Sequence, residues 1–267
     1  MASAGKILVG FILASLLFGL PAAAQKATRP APAPADWAAL AKLPDFNGVW
    51  EVAPPGAAGR GAGQPRARGV SGGIAAPSLT PAYAAKAQAL AREPKPEDNQ
   101  SANCLPPGMP AIMGQPYPIE ILLTPGQVTI VIEAYTQVRH IYIDGRVLPD
   151  DPDPTFFGTS VGHWEDNSLV VETVGFAQVP RGLSFPYSDK MRIQERFRLA
   201  DADTLSIETT ITDPEALKAP YSMGTRTFKR HRSWTIAEYI CEENNRNFVD
   251  EKGKAGINLA NPEASPR

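Results

Sequence analysis

The sequence predicts an all-β fold, an antiparallel meander of about ten strands that closes into a barrel, with one or two short N-terminal helices and a long Pro/Gly-rich insertion. Two observations carry that expectation. From Ile119 onward, apolar residues recur at every second position in short runs separated by turn residues, the pattern of half-buried strands. Nearly every link between these runs is short, so successive strands are expected to pair antiparallel, and closure removes the exposed edges. The 27 prolines and 22 glycines argue against a helical bundle. The chain has no β-α-β alternation and no Gly-rich phosphate loop after a strand, which argues against Rossmann and P-loop folds.

In chain order, residues 1–24 read as a secretory signal. Lys6 supplies the positive region, "ILVGFILASLLFGL" is an apolar core shorter than a membrane span, and Ala22-Ala23-Ala24 offers a cleavage site before Gln25. A periplasmic or secreted protein without stable membrane insertion is therefore expected. Residues 25–44 form a Pro/Ala linker and a short helix, "ADWAALAKL", with Asp36 as its N-cap. "DFNGVWEV" opens a single barrel domain over 45–247, and 248–267 is a C-terminal tail. Residues 53–118 are an irregular insertion, and 53–78 hold almost no apolar anchor. Thr80 is expected to cap, and Pro81 to open, a helix ending near Arg92, and the Pro-rich stretch 93–118 follows. Cys104 and Cys241 are the only cysteines, and in an oxidising compartment an isolated pair predicts a disulfide. Strands are expected near Trp50 and at 119–123, 127–134, 137–144, 159–165, 168–175, 190–200, 204–212, 222–230 and 234–241. The net charge of -2 leaves no footprint for nucleic acid.

Pairing the strands on paper identifies the inside. In "QERFRLADADTLSIETT" a turn at Asp201-Ala202-Asp203 sets Leu199 opposite Leu205, Phe197 opposite Ile207, Glu195 opposite Thr209 and Ile193 opposite Ile211. That face is core, and Glu195 is a carboxylate inserted into it. A buried carboxylate needs a partner or a proton, so Glu195 is either satisfied by an arginine or backbone amides, or it is an acid/base or ligand anchor. In "QVTIVIEAYTQVRHIYIDG", Val128, Ile130 and Ile132 share an inner face with Arg139, Ile141 and Ile143, while His140 and Tyr142 fall on the outer wall or under a covering loop.

"GTSVGHWEDNSLVVETVGF" begins with Gly158-Thr159-Ser160-Val161-Gly162, which spells G-x-S-x-G. A nucleophile elbow needs a helix after the serine, and here a hairpin follows. An Asp166-Asn167 turn sets Trp164 opposite Leu169, Gly162 opposite Val171 and His163 opposite Val170, with Glu172 opposite Val161. His163 and Glu172 are then placed to form a His–carboxylate couple. His140, His163 and His231 lack the H-x-H or H-x-x-x-H spacing of metal ligands, and Asp150, Asp151 and Asp153 lack the EF-hand spacing. No metal or other cofactor is expected.

Gly48-Val49-Trp50 resembles the G-x-W opening of the lipocalins, and the resemblance implies a barrel whose floor the tryptophan closes. Residues 103 to 245 resemble a broad family of uncharacterised exported bacterial proteins, through "CLPPGMP", "PYPIEILLTPG", "RHIYIDGR", "GTSVGHWEDNSLVVETVGF", "ERFR", "TITDP" and "EYICEEN". That resemblance implies one exported domain and no mechanism.

Three function classes remain open at this point. The first is an exported barrel that binds a small, largely apolar or aromatic molecule, lined by Trp164, Ile193, Phe197, Ile207, Thr209, His140 and Tyr142. The second is a cofactor-free lyase, isomerase or hydratase using Glu195, His163 and Glu172. The third is an envelope structural or interaction protein. The sequence leaves the oligomeric state open.

Overall fold

The structure, a computed structural model, describes residues 31–53, 75–92, 100, 102–178, 183–241, 247–250 and 255–257. The expected signal segment, most of the 53–78 insertion and most of the C-terminal tail lie outside the described residues. Among the described residues no helix is long and apolar enough to cross a membrane.

Nine strands close into one barrel: β1 (Gly48–Val52), β2 (Ile119–Thr124), β3 (Gln127–Ile132), β4 (Gln137–Tyr142), β5 (Thr159–Glu165), β6 (Ser168–Val174), β7 (Arg192–Asp201), β8 (Thr204–Thr212) and β9 (Tyr221–His231). Each strand pairs with the next, and β9 returns to β1 with Phe228 beside Val52 and His231 beside Val49. Two of the hairpin registers read from the sequence form, with Glu195 beside Thr209 and His163 beside Val170. The β3–β4 hairpin keeps its expected faces but not the register that a two-residue Tyr135-Thr136 loop would set: Ile132 pairs with Gln137 across residues 133–136, which places Thr129 beside His140. Among the described residues helix α1 (Pro34–Leu40) precedes β1, helix α2 (Pro81–Arg92) lies between β1 and β2, and β10 (Asn247–Val249) pairs with β11 (Ala255–Ile257) as a separate ribbon.

The structure departs from the expected fold in four places. First, β4 and β5 run parallel, with Ile141 beside Ser160 and Tyr142 beside Val161. The link between them, residues 143–158, is long and interrupted by prolines, so it carries the chain back before the next strand starts. Second, residues 234–241 form no strand. The closure of β9 onto β1 leaves them no edge to join. They run instead to the β3–β4 turn, where Ala237 N donates to Glu133 Oε2 (2.9 Å) and Thr136 Oγ1 donates to the Tyr239 carbonyl (2.9 Å). Third, Asp36 stands inside α1 and accepts from Ala33 N (2.8 Å), so Ala33 holds the N-cap position. Fourth, the Thr80 hydroxyl donates to the Glu215 carbonyl (2.7 Å), tying the start of α2 to the β8–β9 link.

The period-2 pattern turns aliphatic side chains inward, and Ile121, Ile130, Ile141, Leu169, Ile193 and Ile211 are wholly buried there. One end of the barrel is closed by aromatic rings. Trp50 is fully buried, its Nε1 donates to the Phe46 carbonyl (2.9 Å), and the Phe46 ring stacks on Trp164. Arg230 lies with its guanidinium 4.4 Å from the Trp50 ring and donates to the Asn47 carbonyl (2.9 Å) and the Asp45 carboxylate (3.1 Å). The tryptophan of Gly48-Val49-Trp50 is thus buried between the Phe46 carbonyl and the Arg230 guanidinium. The 109–114 segment packs Met109, Ile112 and Met113 into the same core. It is held nearby by the Cys104–Cys241 disulfide, which joins residues 137 apart in sequence.

Candidate functional site

The barrel interior is the candidate site, because its polar groups are few and converge. Arg139 on β4 and Glu195 on β7 are each 1% exposed and face each other across it. Arg139 Nη1 donates to Glu195 Oε1 (3.2 Å), and Nη2 donates to Oε2, so the fork engages both oxygens. The same guanidinium donates to Thr173 Oγ1 (3.1 Å) and, from Nε and Nη2, to Ser160 Oγ (3.4 and 3.3 Å), while Ser160 and Thr173 share a hydroxyl bond of 2.9 Å. Strands β4, β5, β6 and β7 therefore each send one polar side chain to a single buried cluster. Of the two readings that the sequence leaves for Glu195, the geometry realises the arginine partner.

Ser160 is 1% exposed and serves this cluster. Its G-x-S-x-G glycines have packing roles. Gly158 adopts φ +66°, and a Cβ there would stand 2.5 Å from the Val174 carbonyl oxygen. A Cβ at Gly162 would crowd Ile141, Ile143 and Leu169 at 3.1 to 3.2 Å.

Of the remaining sequence-chosen residues, Ile193, Phe197, Ile207 and Thr209 line the interior and are buried. Trp164 packs against the core beside Phe46, and its Nε1 is buried without a hydrogen-bond partner. His140 and Tyr142 lie on the outer wall. His140 Nδ1 is 3.1 Å from Gln127 Nε2, and Arg146 lies 3.7 Å over the Tyr142 ring. His163 and Glu172 share the exposed outer face of the β5–β6 hairpin, as the register requires. The carboxylate that meets His163, however, is Glu165, at 3.0 Å from Nε2. Glu165 also accepts from Arg196 Nη2 (2.6 Å), and Arg196 first and His163 second hold its carboxyl below the usual range. The structure thus brings Glu195 together with Arg139, Ser160 and Thr173, and leaves the histidines outside that cluster.

Sequence reasoning placed Arg139 on the inner face without pairing it to Glu195. It passed over Arg226, which enters the barrel from β9 opposite Ile207. The acidic run Asp150, Asp151 and Asp153 borders an open surface groove of about 540 Å³ together with Asp189 and Lys190. Among the described residues, no three His, Cys, Asp or Glu side chains are grouped to hold a metal ion.

No family model matches the sequence, and no curated protein matches it. Among solved structures, a secretory abundant heat soluble (SAHS) protein from Ramazzottius varieornatus shares 12% identity. It aligns over 70% of this chain and 95% of its own, with a TM-score of 0.31.

Proposed function

We propose that this protein is an exported barrel that binds a small, largely apolar or aromatic molecule in its interior. The observation that carries the reading is Trp164 Nε1, a buried indole donor without an acceptor among apolar and aromatic neighbours. Such a donor costs roughly 1–3 kcal/mol when left unmade, and a ligand acceptor beside the Phe46–Trp164 stack recovers that cost. The Cys104–Cys241 disulfide fits an oxidising compartment and so supports export.

The acid/base reading draws less support, since both Glu195 oxygens are held by Arg139 and His163 lies on the outer wall. Native mass spectrometry of protein recovered from its own host, followed by organic extraction, tests the proposal. An organic molecule should be released on denaturation, and Trp164→Phe should weaken its retention. Protein that carries no ligand, and whose melting temperature is unmoved by any of a panel of apolar aromatic probes, refutes it.

A further inference from the structure

Three guanidiniums, Arg139, Arg226 and Arg230, and one carboxylate, Glu195, stand at inward-facing strand positions among the described residues. Arg139 takes both oxygens of Glu195. Arg226 stands on β9 opposite Ile207, and it shares its strand face with Phe228 two residues on, which is fully buried in the core. Its guanidinium rests against Gly114 of the 109–114 segment, where a methyl group would stand 2.6 Å from Nη2 and 2.7 Å from Cζ. The absence of a side chain at Gly114 leaves the guanidinium the space it occupies. Burial depresses the pKa of Arg226 and the Glu195 charge opposes that, yet Glu195 forms its ion pair with Arg139. The other buried and half-buried arginines among the described residues have anionic partners: Glu195 for Arg139, Asp45 for Arg230 and Glu165 for Arg196. A guanidinium keeps its proton at any working pH, so a partly desolvated one gains from a counter-charge.

We infer that Arg226 binds the head group of the ligand, which is therefore an amphipathic monoanion. One excess positive charge calls for one negative charge, and the guanidinium fork suits a carboxylate or sulfonate by paired hydrogen bonds. The inference rests on the ligand-binding reading above and adds the charge of the ligand to it.

Two fluorescent probes with one aromatic skeleton separate the two claims: 1-anilinonaphthalene-8-sulfonate, a monoanion, and N-phenyl-1-naphthylamine, its neutral parent. The full-length protein should bind the sulfonate about 10–100-fold more tightly than the neutral parent. Arg226→Gln should bring the two to similar affinity. Gly114→Ala, whose methyl group displaces a flexible side-chain end and not backbone, should narrow the preference while the protein stays folded, and it carries the comparison if Arg226→Gln does not fold. Equal affinity of the wild type for both probes, or a preference that survives both substitutions, overturns the charge assignment and leaves ligand binding standing. Failure of the wild type to bind either probe overturns the ligand-binding reading, and this inference with it.

Discussion

Replacing Glu195 with leucine should be among the most destabilising single changes in the barrel. Glu195 and Arg139 are each 1% exposed, so the substitution strands a guanidinium that has only the Ser160 and Thr173 hydroxyls left to it. Removing one partner of a buried ion pair costs about 3–5 kcal/mol, because the remaining charge loses its compensation but not its burial. For a domain of this size each kcal/mol moves the melting temperature by roughly 2–4 °C, so the expected drop is about 6–20 °C. The companion variant, Arg139→Met with Glu195→Leu, removes both charges. Ser160 and Thr173 still satisfy each other at 2.9 Å, so the double variant should return to within about 1 kcal/mol of wild type, or exceed it.

Urea denaturation with the disulfide intact, analysed by linear extrapolation, measures all three proteins. A loss below about 1 kcal/mol for Glu195→Leu would refute the reasoning, since it would mean that water or another anion reaches Arg139 freely. A double variant no more stable than the single one would refute it from the other side. The double variant also separates structure from function. If it is stable and still binds the probes as wild type does, the pair is a folding device. If it is stable and does not bind, the pair is part of the ligand site.

Cys104→Ser with Cys241→Ser frees a loop of sequence separation 137 and should cost up to about 5 kcal/mol by chain entropy, read as a lower midpoint in urea. Ser160→Ala should lower stability by roughly 1–2 kcal/mol and leave esterase activity at background, whereas loss of a measurable hydrolysis rate would restore the nucleophile. Trp50→Ala should cost about 3–5 kcal/mol, because it empties the closed end, and a loss under about 1 kcal/mol would show that the end is not packed as described. At Asp45, burial raises the carboxyl pKa but hydrogen bonds from Arg230 and Asn47 outweigh it, so the folded value lies below the usual range. Its stabilisation is therefore full above the unfolded value near ~4 and is lost as pH falls through the folded value. The gap in melting temperature between wild type and Asp45→Asn should accordingly close between about pH 5 and pH 2, and a gap that widens on acidification would reverse the sign.

Most of the barrel was legible because alternation fixes a strand's two faces and a tight turn fixes its register. Leu199 beside Leu205 leaves Glu195 only one place to go, beside Thr209 and inside. What failed was information carried by closure. "WTIAEYI" at 234–240 has the composition of a strand, but composition does not say that β9 has already found β1 and left no edge. The parallel β4–β5 pair escaped for a related reason. Nearly every link is short, and the proline-bearing stretch 143–158 is the exception that lets the chain change direction.

The candidate site shows the same boundary more sharply. Glu195 and Arg139 were each assigned inward from their own hairpins, yet β4 and β7 are not neighbours, and only the closed barrel sets their side chains against each other. His163 shows the reverse, since the hairpin register that placed it beside Val170 was right, while its carboxylate came from Glu165 two residues along its own strand. Arg226 had a readable signal in its two-residue spacing from Phe228, an inward position by the same alternation that exposed Glu195. The surrounding "GTRTFKRH" masks it, because polar residues occupy both faces of β9 and the pairing with β8 shifts between Glu208 and Thr210. A charged residue inside a barrel is thus found from sequence only where its neighbours alternate cleanly. Where a bulge blurs the alternation, the packing against Gly114 is what reveals it.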